Sequence, residues 1–313
     1  MKVVITGGAG LVGSHIADLL VKKKIKDVVI IDDFSRGKIK NLDWAKKHGN
    51  IKIIEGCVLD FKLLMRTFKD ADIIFHQAAM RITECAQKNR LAHEVMSTGT
   101  FNVAEASQKS NVKKVIAASS ASIYGQASSF PTSENHDPYS DDTLYGATKL
   151  YLEKIFKSFK SMYGLDYIVL RYFNVYGPRM DVTGKYTEVI IRWLKCIKKG
   201  QSPLIFGDGL TSMDLVHVKD IARANILAME SNVTDEIINI GTQKETSLNE
   251  LLNIILEIND SHLSPKFKAE RLVNPVQKRI ANIEKAKYLL NFNPSITLKD
   301  GLKDLSVWYN KNF

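Results

Sequence analysis

A doubly wound α/β fold, a parallel sheet with helices on both faces followed by a smaller C-terminal α/β region, is predicted by three observations. Short β-branched runs alternate with helix-length stretches through the first half of the chain. Those runs are apolar at nearly every residue, as in strands covered on both faces, rather than at every second one. The first run feeds directly into a glycine-rich turn, Thr6-Gly7-Gly8-Ala9-Gly10-Leu11-Val12-Gly13-Ser14. With 313 residues, 45% of them hydrophobic, the chain can bury a full core.

In chain order, strands are expected at Val3 to Thr6, Val28 to Ile31, Ile51 to Glu55, Ile73 to His76, Val115 to Ala118 and Tyr167 to Arg171. Helices are expected between them, including a long one over Leu91 to Gln108 and another running from Tyr145 through Phe159. After Gly177-Pro178 the alternation loosens, with loops at Asp181 to Lys185 and Gly207 to Ser212 and helices near Glu188 to Lys198 and Asp220 to Glu230. A strand is expected at Ile237 to Ile240, then a helix opened by Ser247 with Glu250 at the capping-box position, then helices at Ile283 to Leu290 and Leu298 to Asn310. Residues 1–177 therefore read as one domain and 178–313 mainly as a second, with 215–241 packing back on the first.

The glycine turn carries a function. A helix N-terminus presents unpaired amides and a positive dipole end, where a pyrophosphate binds if no side chain blocks it. Gly7, Gly10 and Gly13, with Leu11 and Val12 between them, supply that opening in Rossmann context, after a strand and before an amphipathic helix. Asp32, ending the second strand beside Asp33, stands where a carboxylate accepts from adenosine ribose hydroxyls and repels a 2′-phosphate, which favours NAD over NADP even with Arg36 nearby.

A catalytic pair sits in Tyr145-Gly146-Ala147-Thr148-Lys149. A tyrosine is a poor base at neutral pH unless a cation stabilises its phenolate, and residues four apart share a helix face, so Lys149 can serve Tyr145. Ser119 and Ser120 follow the strand Val115 to Ala118, at the sheet end where ligands of such folds collect, and a hydroxyl there can orient a substrate alcohol.

The net charge of +10 comes with no groove-reading motif, and clusters such as Lys22-Lys23-Lys24 and Lys198-Lys199 fall near helix ends, so a solvated surface is favoured over nucleic-acid binding. Cys57, Cys85 and Cys196 have neither metal-ligand nor disulfide spacing, and no metal is expected. No leader-like or membrane-spanning run is seen, and a cytoplasmic protein is expected.

Several motifs in order carry a resemblance: the glycine turn, Asp32, His76-Gln77-Ala78-Ala79, Ser120-Ala121-Ser122-Ile123-Tyr124-Gly125, Tyr145 to Lys149, Arg171 to Arg179, and Phe206-Gly207-Asp208-Gly209. Over nearly its full length the chain resembles the extended short-chain dehydrogenase/reductases, and most of all the nucleotide-sugar epimerases typified by UDP-glucose 4-epimerase. The resemblance implies that Tyr145 is the proton acceptor, that Lys149 holds the nicotinamide ribose and lowers the tyrosine pKa, and that Ser120 hydrogen-bonds the reacting hydroxyl. It further implies NAD contacts from Cys57, Val58, Gln77, Ala78, Ala79, Arg81 and Phe173, and UDP-sugar contacts from Asn174, Arg179, Val189, Arg192, Leu204 and Arg279, with Pro203 to Ile205 flanking the uracil. A homodimer through Arg90 to Lys109 and Thr143 to Tyr163 is likewise implied.

Ala121 and Ser122 occupy positions where related 4,6-dehydratases and decarboxylases carry acidic residues, so simple C4 epimerisation is favoured over elimination or decarboxylation. An intact tyrosine and lysine argue against a non-catalytic cofactor-binding module. Cys57, Met96 and Met213 depart from the aspartate, asparagine and arginine common at those positions. Arg279 or Arg192 suits either a C6 carboxylate, which keeps UDP-glucuronate beside UDP-glucose as a substrate, or the diphosphate left without an arginine at Met213.

Overall fold

The computed structural model describes residues 1–138, 141–182, 188–269 and 276–313. Its first half runs β1 (Lys2–Thr6), α1 (Leu11–Lys22), β2 (Asp27–Asp32), α2 (Asp43–His48), β3 (Ile51–Glu55), α3 (Phe61–Phe68) and β4 (Ile73–His76). It continues through α4 (Ile82–Gln87), α5 (Asn89–His93), α6 (Gly99–Lys109), β5 (Lys114–Ser120), α7 (Leu144–Tyr163) and β6 (Tyr167–Tyr172). The second half contains β7 (Asn174–Tyr176), α8 (Val189–Lys198), β8 (Leu204–Phe206), β9 (Ser212–Met213), β10 (Leu215–His217), α9 (Val218–Glu230) and β11 (Glu236–Ile240). It ends with β12 (Thr246–Ser247), α10 (Leu248–Ile258), β13 (Lys266–Lys268), β14 (Lys278–Arg279), α11 (Glu284–Leu290) and α12 (Leu298–Asn312).

Seven strands form one parallel sheet in the order β11-β6-β5-β4-β1-β2-β3. Strand side chains alternate between faces, and here both faces are covered: Val3 and Ile5 enter one core with Ile16, Leu20 and Ile221, while Val4 enters the other with Leu64, Phe68 and Phe156. This is why the strands read as continuous apolar runs. The chain reverses direction across the sheet between β1 and β4, so the carboxyl ends of β1, β2, β4 and β5 open onto one crevice.

A third core, built on Trp193, Leu252, Ile255, Leu302 and Leu305, joins α8, α10 and α12 beyond the sheet. The chain returns to the sheet with α9, which packs on α1, and with β11 at its edge. Ser247 caps α10 through the Glu250 amide, and Glu250 returns a bond to the Ser247 amide, completing the expected capping box.

The expected helix from Leu91 to Gln108 is present without a break, but one of its turns is widened. It passes from α5 through a wider π turn at Glu94–Thr98 into α6, with α4 preceding them. The Thr100 hydroxyl donates back to the Met96 carbonyl at 2.6 Å and faces His76 Nε2 at 3.2 Å, so the turn serves a buried polar contact. Of the loop expected at Asp181 to Lys185, residues 183–185 lie outside the described residues.

Candidate active site

The crevice is a groove of about 1050 Å³. Its floor begins at the glycine turn. A Cβ on Gly7 would meet the Ala78 amide nitrogen at 2.6 Å, and one on Gly13 would meet the Gly7 carbonyl at 2.4 Å, so both glycines are required by close backbone approach. Helix α1 starts at Gly10 with no side-chain cap, and its first intrahelical donor is Ser14, which leaves the amides of Leu11, Val12 and Gly13 for a ligand. These residues line the groove, and their open cradle fits a dinucleotide pyrophosphate.

Asp32 also lines the groove, at the end of β2, and is fixed by two backbone donors: Ala9 to Oδ2 at 2.8 Å and Phe34 to Oδ1 at 2.9 Å. Burial pushes its carboxyl pKa up, and those two bonds pull it back down. Each oxygen keeps a lone pair for a ribose hydroxyl. Asp33 accepts from the Ser35 amide and hydroxyl, which turns the chain so that Arg36 reaches the groove near Glu84. Cys57, Val58, Gln77, Ala78, Ala79 and Arg81 complete the expected lining, with Arg81 ion-paired to Asp181 at 3.0 Å.

Tyr145 and Lys149 project from the first turns of α7 into the same groove. Thr143 caps that helix, accepting from the Gly146 amide at 3.0 Å. Three contacts tie α7 to the end of β5. Tyr145 is hydrogen-bonded to Ser120, Lys149 Nζ donates to the Ala118 carbonyl at 2.7 Å, and the Ser119 hydroxyl donates to Glu153 Oε1 at 2.6 Å. Residues 145, 149 and 153 are one turn apart, so one face of α7 supplies all three contacts.

Behind these contacts Arg171 of β6 grips Glu153 with two bonds, at 2.9 and 2.7 Å, and donates to the Tyr124 hydroxyl at 2.8 Å. Tyr124 passes the chain on to Asn239 at 2.7 Å. The sequence reading missed this network, although the four-residue step from Lys149 to Glu153 was a signal for it.

The electrostatics refine the roles. Burial drives the Tyr145 phenol upward, with the Ser120 hydrogen bond opposing that, so Tyr145 rests as a neutral phenol in the ligand-free protein. Burial also lowers Lys149 to about 8, with nearby Cys85 and Glu153 acting to hold its proton. Lys149 Nζ stands 5.7 Å from the centre of the Tyr145 ring. His76 bridges Thr6 and Thr100 through its two ring nitrogens, and burial lowers its pKa to about 3, which keeps it neutral beside Lys149.

Several expected site residues lie elsewhere. Phe173 is buried in the apolar core against Tyr124, because the backbone past β6 turns its ring away from the groove. Arg179 lines the groove, but its guanidinium is held by Asp18 of α1 at 2.7 Å, which places it on the nucleotide side. Asn174 begins β7, Val189 and Arg192 lie on α8, Leu204 begins β8, and Arg279 ends β14. None of these five lines the groove; the Leu204 carbonyl accepts from Trp193 Nε1 at 2.9 Å, and Arg192 is engaged within the protein.

The departures have physical consequences. Met96 Sδ accepts from the Met80 amide at 3.1 Å, replacing a side-chain amide by a sulfur contact. Met213 pairs by backbone with Arg279 and Thr246. Among residues the sequence did not point to, Trp44, Trp308, Lys311 and Phe313 line the groove; α12 brings the last three there from the far end of the chain. Among the described residues no cluster of metal-ligating side chains occurs, and no helix is long and apolar enough to cross a membrane.

Comparison with known proteins agrees with this geometry. Residues 3–241 match the model of the NAD dependent epimerase/dehydratase family. A Methanocaldococcus jannaschii protein with the provisional name of a UDP-glucose 4-epimerase is 36% identical over 318 residues, spanning 99% of each chain. A UDP-N-acetyl-alpha-D-glucosaminuronate decarboxylase of Bacillus cytotoxicus is 33% identical, over 99% of this chain and 98% of its own. Among solved structures, a UDP-N-acetylglucosamine 4-epimerase from Methanobrevibacter ruminantium M1 superposes with a TM-score of 0.93 at 34% identity, covering 100% of this chain and 99% of that one. With its glycine cradle, its aspartate at the end of β2 and its tyrosine and lysine on one helix face, the chain belongs to the NAD-dependent epimerase/dehydratase family.

Proposed function

We propose that this chain is a UDP-sugar 4-epimerase that uses NAD. The observation that carries the reading is the set of contacts between β5 and α7, which puts one proton-transfer group, Tyr145, at the groove, while Ala121 and Ser122 supply no acid or base for elimination. When bound, NAD supplies a hydride acceptor that returns the same hydride. Tyr145 would first give its proton to solvent, the Lys149 ammonium and the positive charge of a bound NAD stabilising the phenolate; the phenolate then takes the proton of the C4 hydroxyl, which Ser120 orients, and becomes a neutral phenol. A 4-keto sugar results. Turning about its diphosphate linkage, it presents its other face, and Tyr145 returns the proton with inverted configuration.

UDP-glucose, UDP-N-acetylglucosamine and UDP-glucuronate, each incubated with the purified protein, test this, with the C4 configuration of the product read by NMR. Inversion without loss of water or carbon dioxide is expected, and Tyr145→Phe should retain NAD while losing inversion. Water loss or carbon dioxide release would assign a dehydratase or decarboxylase instead. NAD binding without turnover of any sugar would leave a cofactor-binding module. A cytoplasmic homodimer is part of the same reading. Exposed Leu91, Phe101, Tyr151, Met162 and Tyr163 on α5, α6 and α7 support a second copy docking there, and sedimentation equilibrium measures it.

A further inference from the structure

The second half of the molecule brings three arginines forward as ligand-binding candidates, and the structure separates them. Arg179 is ion-paired to Asp18, and Arg192 is engaged within the protein. Arg279 has no hydrogen-bond or ion-pair partner among the described residues, and its Nε is buried. Its backbone is held firmly. β14 pairs with β9, the Arg279 carbonyl accepts from the Asp214 amide at 2.7 Å, and the Asp214 carboxylate takes the amides of Thr242, Gln243 and Ala281.

The backbone that carries the guanidinium is thus fixed in place, and the side chain's charge is felt by two groups on either side of the start of α7, Tyr145 and Asp141. Asp141 is turned toward its own helix: Oδ1 accepts from the Thr143 hydroxyl at 2.9 Å, and Oδ2 is buried with no partner in the space left by the missing side chain of Gly146. It tempers the arginine's charge without forming an ion pair with it. A buried Nε left without an acceptor is costly, and the terminal amines of the same guanidinium remain open to an incoming acceptor.

A planar fork of donors matches a carboxylate or a phosphate. In a UDP-sugar the diphosphate sits on the anomeric carbon, across the ring from the carbon whose hydroxyl meets Tyr145. The C6 substituent is attached to the ring carbon next to that one. We propose that Arg279 binds a C6 carboxylate, so that the preferred substrate is a UDP-hexuronate rather than a neutral UDP-hexose. The inference rests on the epimerase reading above and names the substrate class of that same site.

Calorimetric titration of the NAD-loaded protein with UDP-glucuronate, UDP-glucose and UDP tests it. The wild type should bind UDP-glucuronate about tenfold more tightly than UDP-glucose. Arg279→Gln should erase that preference, loosening UDP-glucuronate about thirtyfold while weakening UDP-glucose and UDP far less. Arg279→Lys, which keeps the charge and loses the fork, should fall between and serves if the glutamine variant does not fold. Asp141→Asn should act with the opposite sign, tightening UDP-glucuronate by removing a neighbouring negative charge.

Equal affinity of the wild type for the two sugars would overturn the inference. So would equal loosening of UDP-glucuronate, UDP-glucose and UDP in Arg279→Gln, which would place the arginine on the diphosphate. If UDP-glucose is inverted at C4 with no preference for the uronate, the inference fails while the epimerase reading stands. A uronate preference without inversion of any sugar would retain the arginine's role and remove the reaction.

Discussion

At the scale of single residues, the proposed catalytic pair of Tyr145 and Lys149 depends on the groups packed behind it. Lys149 is buried, so its ammonium survives only where negative charge and acceptors surround it; Glu153 and the Ala118 carbonyl provide them. Arg171 in turn holds both Glu153 oxygens. Glu153→Gln should therefore cost about 3 to 5 kcal/mol of stability, since it leaves Arg171 buried and uncompensated. Urea unfolding measures this, and a loss under about 1 kcal/mol would mean that the pair is solvated and worth little. Lys149 itself carries a pH signature. Its pKa is lowered from 10.5 to about 8, so an NMR titration of the ligand-free protein should find it charged at pH 7 and neutral above about 8. The linked stability has a definite sign: the cost of burying the ammonium is fully present below about 8 and is relieved as pH rises toward 10.5. Tyr145 and Lys149 were legible in the sequence because four-residue spacing is a helix property. The pairing of Glu153 with Arg171 was not, because it is a contact made by packing α7 on β6, which no periodicity along the chain records.

Among elements, α7 shows most directly how local chemistry sets the site. Thr143 caps it, and Tyr145 lies in its first turn, so the cap fixes the height of the phenol over the groove. Thr143→Ala should lower stability by about 1 kcal/mol, read from the thermal midpoint. It should also reduce kcat more than the affinity for NAD, because the glycine cradle lies on a different helix. Equal losses in both would show that α7 does not position the base independently. The strands of the sheet were readable as apolar runs, and α10 was readable from Ser247 and Glu250. The π turn at Glu94–Thr98 was not, because an amphipathic stretch carries the same periodicity whether or not one turn widens to meet His76. The pairings β9 with β12 and β14, each two residues long, have no periodicity to read, yet they are what fixes Arg279.

For the whole molecule, the folding unit does not end where the alternating pattern ends. β11 hydrogen-bonds β6 along Ile168 to Tyr172, so a chain stopped after Tyr176 would expose the edge of its most buried strands. It would also strip α1 of α9, and deprive Lys114 Nζ of the carbonyls of Ala228 and Ser231 that hold it at 3.4 and 2.6 Å. The groove would lose a wall as well, since Trp308, Lys311 and Phe313 line it from α12. A fragment of residues 1–177 contains the glycine cradle, Tyr145 and Lys149, and on motif content alone it would bind NAD. The packing leads to the opposite expectation. The fragment should show no cooperative thermal transition and no NAD binding by calorimetry, whereas the full chain shows both. Cooperative unfolding of the fragment with NAD affinity within about threefold of the full chain would show that the sheet tolerates an open edge at β6 and that α9 and β11 are accessory.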